Sequence, residues 1–493
     1  MKHTSFYGLH FTFFIVFLCF SAMEMNAQVD TQWTKKFSGC NPGFGNSIQQ
    51  TSDGGYIIVG YTWISGAGGR DVYLLKTDVN GSPQFTKTFG GGNDDIGNSV
   101  QQTNDGGYII AGNTYSFGAG NSDVYIIKTD VNGDSVWAKT YGGSLSEVGY
   151  SVQQATDGGY VVVGSTTKNF ATMGADVYLI KTDANGDSLF TKNIGGIRYD
   201  EGYSVRQSSD GSYSIAGYTS SFGATIQGDV YLIKTDANGN TFFTKTFGGS
   251  ADDYGHSVQQ TNDGGYIIAG YTYSFGEGNS DVYLIKTDAN GDTLFTKTFG
   301  GSNDDRGYSV LQTSDGGYII TGFTNSYGVG DEDIHLIKTD GNGNLQWTKI
   351  FGEIDNDWGN SVQQTTDGGY IIAGGTNSEI YLIKTTPDVV GVREANNNIA
   401  IMFSLSQNYP NPFNPTTMIQ FEIPLTPFKI GGIVSLKIYN IYGQEVATLI
   451  HNRLMDEGKH EVEFDASNLE SGMYFYRLEA SGFVETKKLV LTK

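Results

Sequence analysis

Three features of the 493-residue sequence predict an all-β chain: a seven-bladed β-propeller of four-stranded blades, followed by a small immunoglobulin-like β-sandwich. The phrase "TSDGGYIIVG" at residue 51 returns with small changes at 103, 155, 208, 261, 313 and 365. Each unit holds four short runs rich in β-branched and aromatic residues, divided by Gly-containing turns. The seventh unit lacks its last run, and a copy of that run precedes the first unit.

Residues 1–27 read as a secretory signal peptide. Lys2 and His3 precede the apolar run Phe11 to Phe20, and small or polar residues lead to Ala27. The run is about half the ~20 residues that a membrane-spanning helix needs, so no transmembrane segment is expected in the mature chain. Cleavage leaves Cys40 as the sole cysteine, which excludes an internal disulfide and a cysteine-based metal site.

Residues 28–387 are the expected propeller. The Asp of the repeated phrase falls at 53, 105, 157, 210, 263, 315 and 367, a near-constant period of the kind that stacked or ring-arranged units produce. In the unit that starts at Tyr254 the strands are "HSVQQT", "GYIIAGYT", "DVYLIKTD" and "TLFTKTFG". The middle two have continuous apolar centres, so both of their faces must be covered. Asp263-Gly264 and Asn290-Gly291 suit two-residue hairpin turns with positive φ. Each unit is therefore a four-stranded meander sandwiched between neighbours. The last unit ends with "EIYLIKTT" and Pro387, while "QWTKKFSG" at 32–39 supplies the missing fourth strand. The two ends of the repeat region thus complete one blade and close the ring, because an open stack would leave a bare edge at each end. The strand nearest the axis is left open.

Residues 388–402 are polar and Asn-rich and read as a linker; residues 403–493 alternate strands with Gly, Asn and Pro turns, as a small sandwich does. Within them stand Asn408, Tyr409, Pro410, Asn411, Pro412, Phe413, Asn414 and Pro415, then Tyr439-Asn440 with Gly443, Ser471-Gly472-Met473-Tyr474, and Lys488-Leu489-Val490. This segment resembles the type A C-terminal sorting domain of the type IX secretion system. The resemblance implies a seven-stranded sandwich that takes its passenger across the outer membrane and is often removed on export. It also implies the type IX machinery as partner, a Bacteroidota-type bacterium, and a protein secreted or held on the outer cell surface after passing the periplasm. It says nothing of what the passenger does.

A net charge of −22 excludes a basic footprint for nucleic acid. Because strands alternate in direction, the Asp-Gly-Gly and Asn-Gly turns share one face of the ring. The opposite face carries the inter-blade connections and the loops between strands two and three, which differ most between units and are the expected ligand face. Its aromatics Trp63, Tyr115, Phe117, Phe170, Phe222, Tyr273, Phe275 and Tyr327 are candidates for stacking on sugar rings, against the alternative that they pack on a blade. Asp95, Glu147, Asp200, Asp253, Asp305 and Asp357 lie in the connections. As an all-oxygen set they suit weak Ca²⁺ binding, but their repetition favours a structural role as acceptors for backbone N–H groups of the adjacent blade. No other cofactor is expected. "TSDGGY" half-matches the Asp-box of sialidase-type propellers, yet the four propeller arginines (Arg70, Arg198, Arg206, Arg306) fall at different places in the unit. His256 and His335 lie in different strands of different units, and no catalytic set stands out. The expectation is a secreted or cell-surface binding or adhesion module for an extracellular glycan or protein. The alternatives are an extracellular carbohydrate-active enzyme (a hydrolase or lyase) with its site on the variable-loop face, and a scaffold in a surface complex.

Overall fold

The computed structural model describes residues 29–38, 44–168, 174–223, 225–376, 379–388, 404–423, 432–455, 458–480 and 483–493. The expected signal peptide, nearly all of the linker, and Phe170 lie outside them. The chain divides into two compact units, Met1–Gly391 and Val392–Lys493. Among the described residues no helix is long and apolar enough to cross a membrane.

In the first unit, β1 (Thr31–Phe37) precedes the repeat. The first blade is β2 (Phe44–Gln50), β3 (Tyr56–Thr62), β4 (Asp71–Thr77) and β5 (Pro83–Phe89), hydrogen-bonded in that order. The strands from β6 (Asp95–Gln102) to β25 (Leu345–Phe351) repeat this order five times. The seventh blade holds β26 (Asp357–Gln364), β27 (Tyr370–Thr376) and β28 (Glu379–Thr385), and β1 is its fourth strand. Thr34 lies opposite Ile383 and Phe37 opposite Ile380. The ring is closed, because blade seven packs on blade one as blade one packs on blade two. Ile48, Tyr56 and Ile58 meet Ile371, Ile380 and Leu382, and Ile57, Val59 and Leu74 meet Val100, Ile110 and Ile127. Each such side chain is buried, and burying an aliphatic one contributes about 1.5–3 kcal/mol.

The first strand of every blade is the innermost and the fourth the outermost. The inner strands line a central cavity of about 420 Å³. Their axis-facing edges have no ladder partner, and the preceding blade satisfies them with side chains. Ser47 accepts the Val100 N–H, and six equivalent serines do the same around the ring at 3.2–3.3 Å, ending with Ser361 and Ile48. On the outside, the fourth-strand aromatic packs on the second-strand tyrosine of the next blade. Trp33 on Tyr56 (5.9 Å) repeats what Phe85 does with Tyr108 (6.2 Å) and Trp137 with Tyr160 (5.8 Å), so the N-terminal strand behaves as a native fourth strand.

The hairpin turns differ from the expected two-residue form. Thr51 accepts the Gly54 N–H and donates its own to Gly55, so five residues lie between the paired Gln50 and Tyr56. Only Gly54 has positive φ, at 82°. Asp53 stays at negative φ and uses its carboxylate to accept the Gly55 N–H (3.0 Å) and the Lys76 ammonium (2.9 Å), which a two-residue turn does not allow.

The second unit is a seven-stranded sandwich. One sheet is β29 (Ser404–Leu405), β30 (Thr416–Ile423) and β33 (Gly458–Asp465), with β30 central; the other runs β32 (Glu445–Met455), β31 (Gly432–Asn440), β34 (Gly472–Ala480), β35 (Phe483–Leu491). Phe413, Phe421, Leu436, Ile438, Tyr476 and Leu489 share its core. The Asn-Pro motif ties the start of this unit to its last strand. Phe413 donates its N–H to Val490 O (3.0 Å), Asn411 Oδ1 accepts from Val490 N (2.9 Å), and the buried Asn408 side chain bonds Thr417 (3.0 Å).

Candidate functional site

Each inner strand carries a β-bulge near its start, where one extra residue is set into the ladder. A bulge re-aims a side chain. Here it is tolerated because the facing residue is glycine: a Cβ on Gly112 would sit 1.8 Å from the Ile96 carbonyl oxygen. The seven bulge residues, Asn46, Asn98, Tyr150, Tyr203, His256, Tyr308 and Asn360, sit at the variable-loop end of the channel.

This set breaks the sevenfold repetition. Asn360, Asn46 and Asn98 are contiguous through blades seven, one and two. Each donates its Nδ2 to a glycine carbonyl one blade on, at 3.1, 2.9 and 2.9 Å. Blades three to six carry aromatic rings instead. Tyr150 meets Tyr203 at 5.2 Å, Tyr203 stacks on His256 at 4.8 Å, and His256 meets Tyr308 edge-on at 5.3 Å. The residues two places earlier widen the arc. Tyr254 lies between Tyr218 (4.5 Å) and Tyr271 (4.7 Å), both stacked on it. The Arg306 guanidinium covers Tyr271 at 4.6 Å and donates to the Tyr273 hydroxyl at 2.8 Å.

Burial, with the Arg306 charge adding to it, pushes the His256 pKa down to about 4, so its imidazole is neutral, and its buried Nε2 has no hydrogen-bond partner among the described residues. Burial raises the Tyr150 and Tyr308 hydroxyls to about 12, burial and the Glu201 carboxylate hold Tyr203 well above its ordinary value, and all three remain phenols. Tyr203 donates to Glu201, and Tyr218 to Asp252 at 3.0 Å. The arc thus offers flat ring faces, neutral donors, one permanent cation and two carboxylates held by tyrosines. Stacking with a few oriented polar groups is what such a surface can do.

Of the loop aromatics expected from the sequence, Trp63, Tyr115, Phe117, Phe222, Tyr273, Phe275 and Tyr327 are 40–51% exposed. Phe117, Phe222, Phe275 and Tyr327 occupy one equivalent position and rest on the third strand of their own blade, against Tyr125, Tyr231, Tyr283 and His335. Trp63 lies beside Arg70, which pairs with Asp94 at 2.6 Å. Tyr273 joins the arc through Arg306, and Tyr115, at the equivalent place in blade two, lies close enough to act on Tyr150. The signal that would have found the arc is the column of the repeat holding residues 46, 98, 150, 203, 256, 308 and 360, which splits into asparagines and aromatics while its neighbours stay constant.

The connection carboxylates Asp95, Glu147, Asp200, Asp253, Asp305 and Asp357 are all buried. Asp95 accepts Gly91 N–H (2.8 Å) and Ser116 O–H (2.7 Å); Glu147 accepts Gly143 N–H (2.9 Å) and Thr166 O–H (2.9 Å). The donors come from the incoming connection and from the end of the blade's own second strand, not from the adjacent blade. Among the described residues no group of three or more His, Cys, Asp or Glu side chains is arranged to hold a metal. The four arginines stay apart: Arg198 bonds Ile226 O at 3.1 Å, and Arg206 lines the central cavity.

Solved structures to which the chain is similar include distant ones. A glucose dehydrogenase is 10% identical, with 60% of this chain and 96% of that one covered and a TM-score of 0.37. MPT-4, a mannose phosphorylase from Leishmania mexicana, is 10% identical, with 74% and 91% covered and a TM-score of 0.29. Nothing of their chemistry transfers at these scores. The regulatory protein FlaEY of Caulobacter vibrioides is 29% identical over 157 residues, 27% of this chain, and the match spans 16% of the length of that relative. Residues 407–492 match the family described as the secretion system C-terminal sorting domain. The second unit is therefore a type IX sorting domain, and it directs the protein to the cell surface or the extracellular space.

Proposed function

We propose that the propeller is the passenger of this export tail and acts outside the cell as a binding or adhesion module, with glycans as ligand class. The supporting observation is the aromatic arc at the channel mouth. Seven blades built alike diverge there, and they diverge into contiguous tyrosines around His256 and Arg306. Ring faces suit the apolar faces of sugars, and the half-buried hydroxyls suit their hydroxyls. The variable loops surround this mouth and set what reaches it.

A carbohydrate-active enzyme is the competing reading, favoured by Glu201 and Asp252, which tyrosine hydroxyls hold at the arc. A glycan array and a chromogenic-glycoside screen with the mature protein separate the two. The binding reading expects saturable binding without turnover, weakened about tenfold or more by Tyr254→Ala or Tyr308→Ala. Turnover that is lost in Glu201→Gln or Asp252→Asn replaces it with the enzyme; no glycan bound and none cleaved removes both.

A further inference from the structure

The central channel carries a second departure from the repeat, below the aromatic mouth. Two places after each ring serine stands a glutamine in five of the seven blades: Gln49, Gln101, Gln153, Gln259 and Gln363. The amide oxygen of each accepts the inner-strand N–H of the next blade, at 2.5–3.0 Å. A backbone N–H can only donate, so the flip of each amide is fixed and its NH₂ group is left free. All five line the cavity, and their NH₂ groups have no protein partner among the described residues. Blade six has Leu311 at this place and blade four has Arg206.

Arg206 donates from Nη1 to Val205 O at 2.8 Å and meets no carboxylate among the described residues. None of the residues lining the cavity is acidic, in a chain of net charge −22. A largely buried cation without a counter-ion is costly, and burial with nothing to offset it lowers its pKa. The cavity of about 420 Å³ is large enough for a small ion and its water. Its walls present amide N–H₂ groups and one guanidinium, while the serine oxygens are already engaged as acceptors. Such a lining is matched by an anion, and a guanidinium fork grips two oxygens of one group.

We infer that the channel holds an oxyanion-binding site, with Arg206 as its charged ligand and the ring-glutamine amides as neutral donors. The chemistry is shared by free inorganic oxyanions and by a carboxylate carried on a larger ligand that enters from the mouth. The site is independent of whether the mouth binds glycans.

The test uses the mature full-length protein, its Arg206→Gln variant and a Leu311→Gln control, by calorimetric titration and thermal melting. Sodium sulfate, sodium acetate and glucuronate are compared with sodium chloride at equal ionic strength. Arg206→Gln restores the residue of the other blades, and its amide oxygen has the Gln260 N–H to accept, so it is expected to fold. The expected result is an oxyanion-specific rise in wild-type Tm of about 2 °C or more at saturation, kept by Leu311→Gln and lost in Arg206→Gln. Affinity falls about ten- to hundredfold in Arg206→Gln. A response to sulfate and acetate alike marks a site for free oxyanions, and a response confined to glucuronate marks a ligand-borne carboxylate. An equal response in Arg206→Gln, or no wild-type response beyond that to chloride, overturns the site.

Discussion

Asp315 and Lys338 illustrate what one residue contributes at the turn face. The Lys338 side chain is fully buried and reaches Asp315 Oδ2 at 2.8 Å and Thr339 O at 3.0 Å. Asp315→Ala removes the carboxylate bonded to that ammonium, leaving it Thr339 O and Gln346 Oε1 (3.1 Å) as acceptors, and is expected to cost about 3 kcal/mol in chemical denaturation. Blade four is the internal control. There Lys234 bonds Ser208 (2.7 Å) while Asp210 bonds the Ser212 N–H (3.0 Å), so Asp210→Ala is expected to cost under about 1 kcal/mol. His335 gives a pH signature. It is buried where other blades have tyrosine, burial pushes its pKa down to about 4, and the unfolded value is near 6.5. The unfolded chain binds the proton more tightly, so the stability that His335 contributes is complete above pH 6.5 and is lost as pH falls towards 4. Melting from pH 7 to 4.5 is therefore expected to fall more steeply in wild type than in His335→Tyr. None of these single-residue roles was readable in advance. The composition of a column says which residue departs from its siblings, but not whether that place faces solvent, a neighbour or the channel.

At the scale of the strand, β1 and the bulges teach opposite lessons. The place of β1 followed from arithmetic on the repeat, because "QWTKKF" matches the fourth-strand run and the last unit lacks one. Removing residues 29–37 strips β28 of a ladder and Tyr56 of Trp33. The expected outcome is a fall in Tm of about 10 °C and concentration-dependent aggregation through the bared edge, read by calorimetry and light scattering. An unchanged melt would contradict the closed ring. The bulges were not legible. "NSVQQ" and "HSVQQ" alternate like ordinary strands, and the extra residue shows only in the register against the facing glycine. The turns misled for a related reason: Asp-Gly signals a hairpin in either loop length, and only the bonds of the Asp53 carboxylate choose between them.

For the whole molecule, the sequence carried the outline well, since length, period and the offset of the ends leave few ways to bury seven double-faced sheets. The export tail was legible because its Asn-Pro motif stitches a local corner, from Phe413 to Val490, whose geometry tolerates little change. Truncation after Asp388 is expected to leave a folded propeller in the periplasm and none in the medium or on the surface, which fractionation and immunoblotting will read. What the sequence concealed was the axis. Seven inner strands from distant parts of the chain meet there, and no linear pattern displays which of their side chains face one another.

The strand that leads to the export tail has a mechanical consequence. β28 lies between β27 and β1, hydrogen-bonded on both flanks. Traction directed along β28 loads two rows of bonds lengthwise and together, whereas an outermost strand has only one row to resist it. A machine that hauls on the rear of this protein therefore tows an intact wheel.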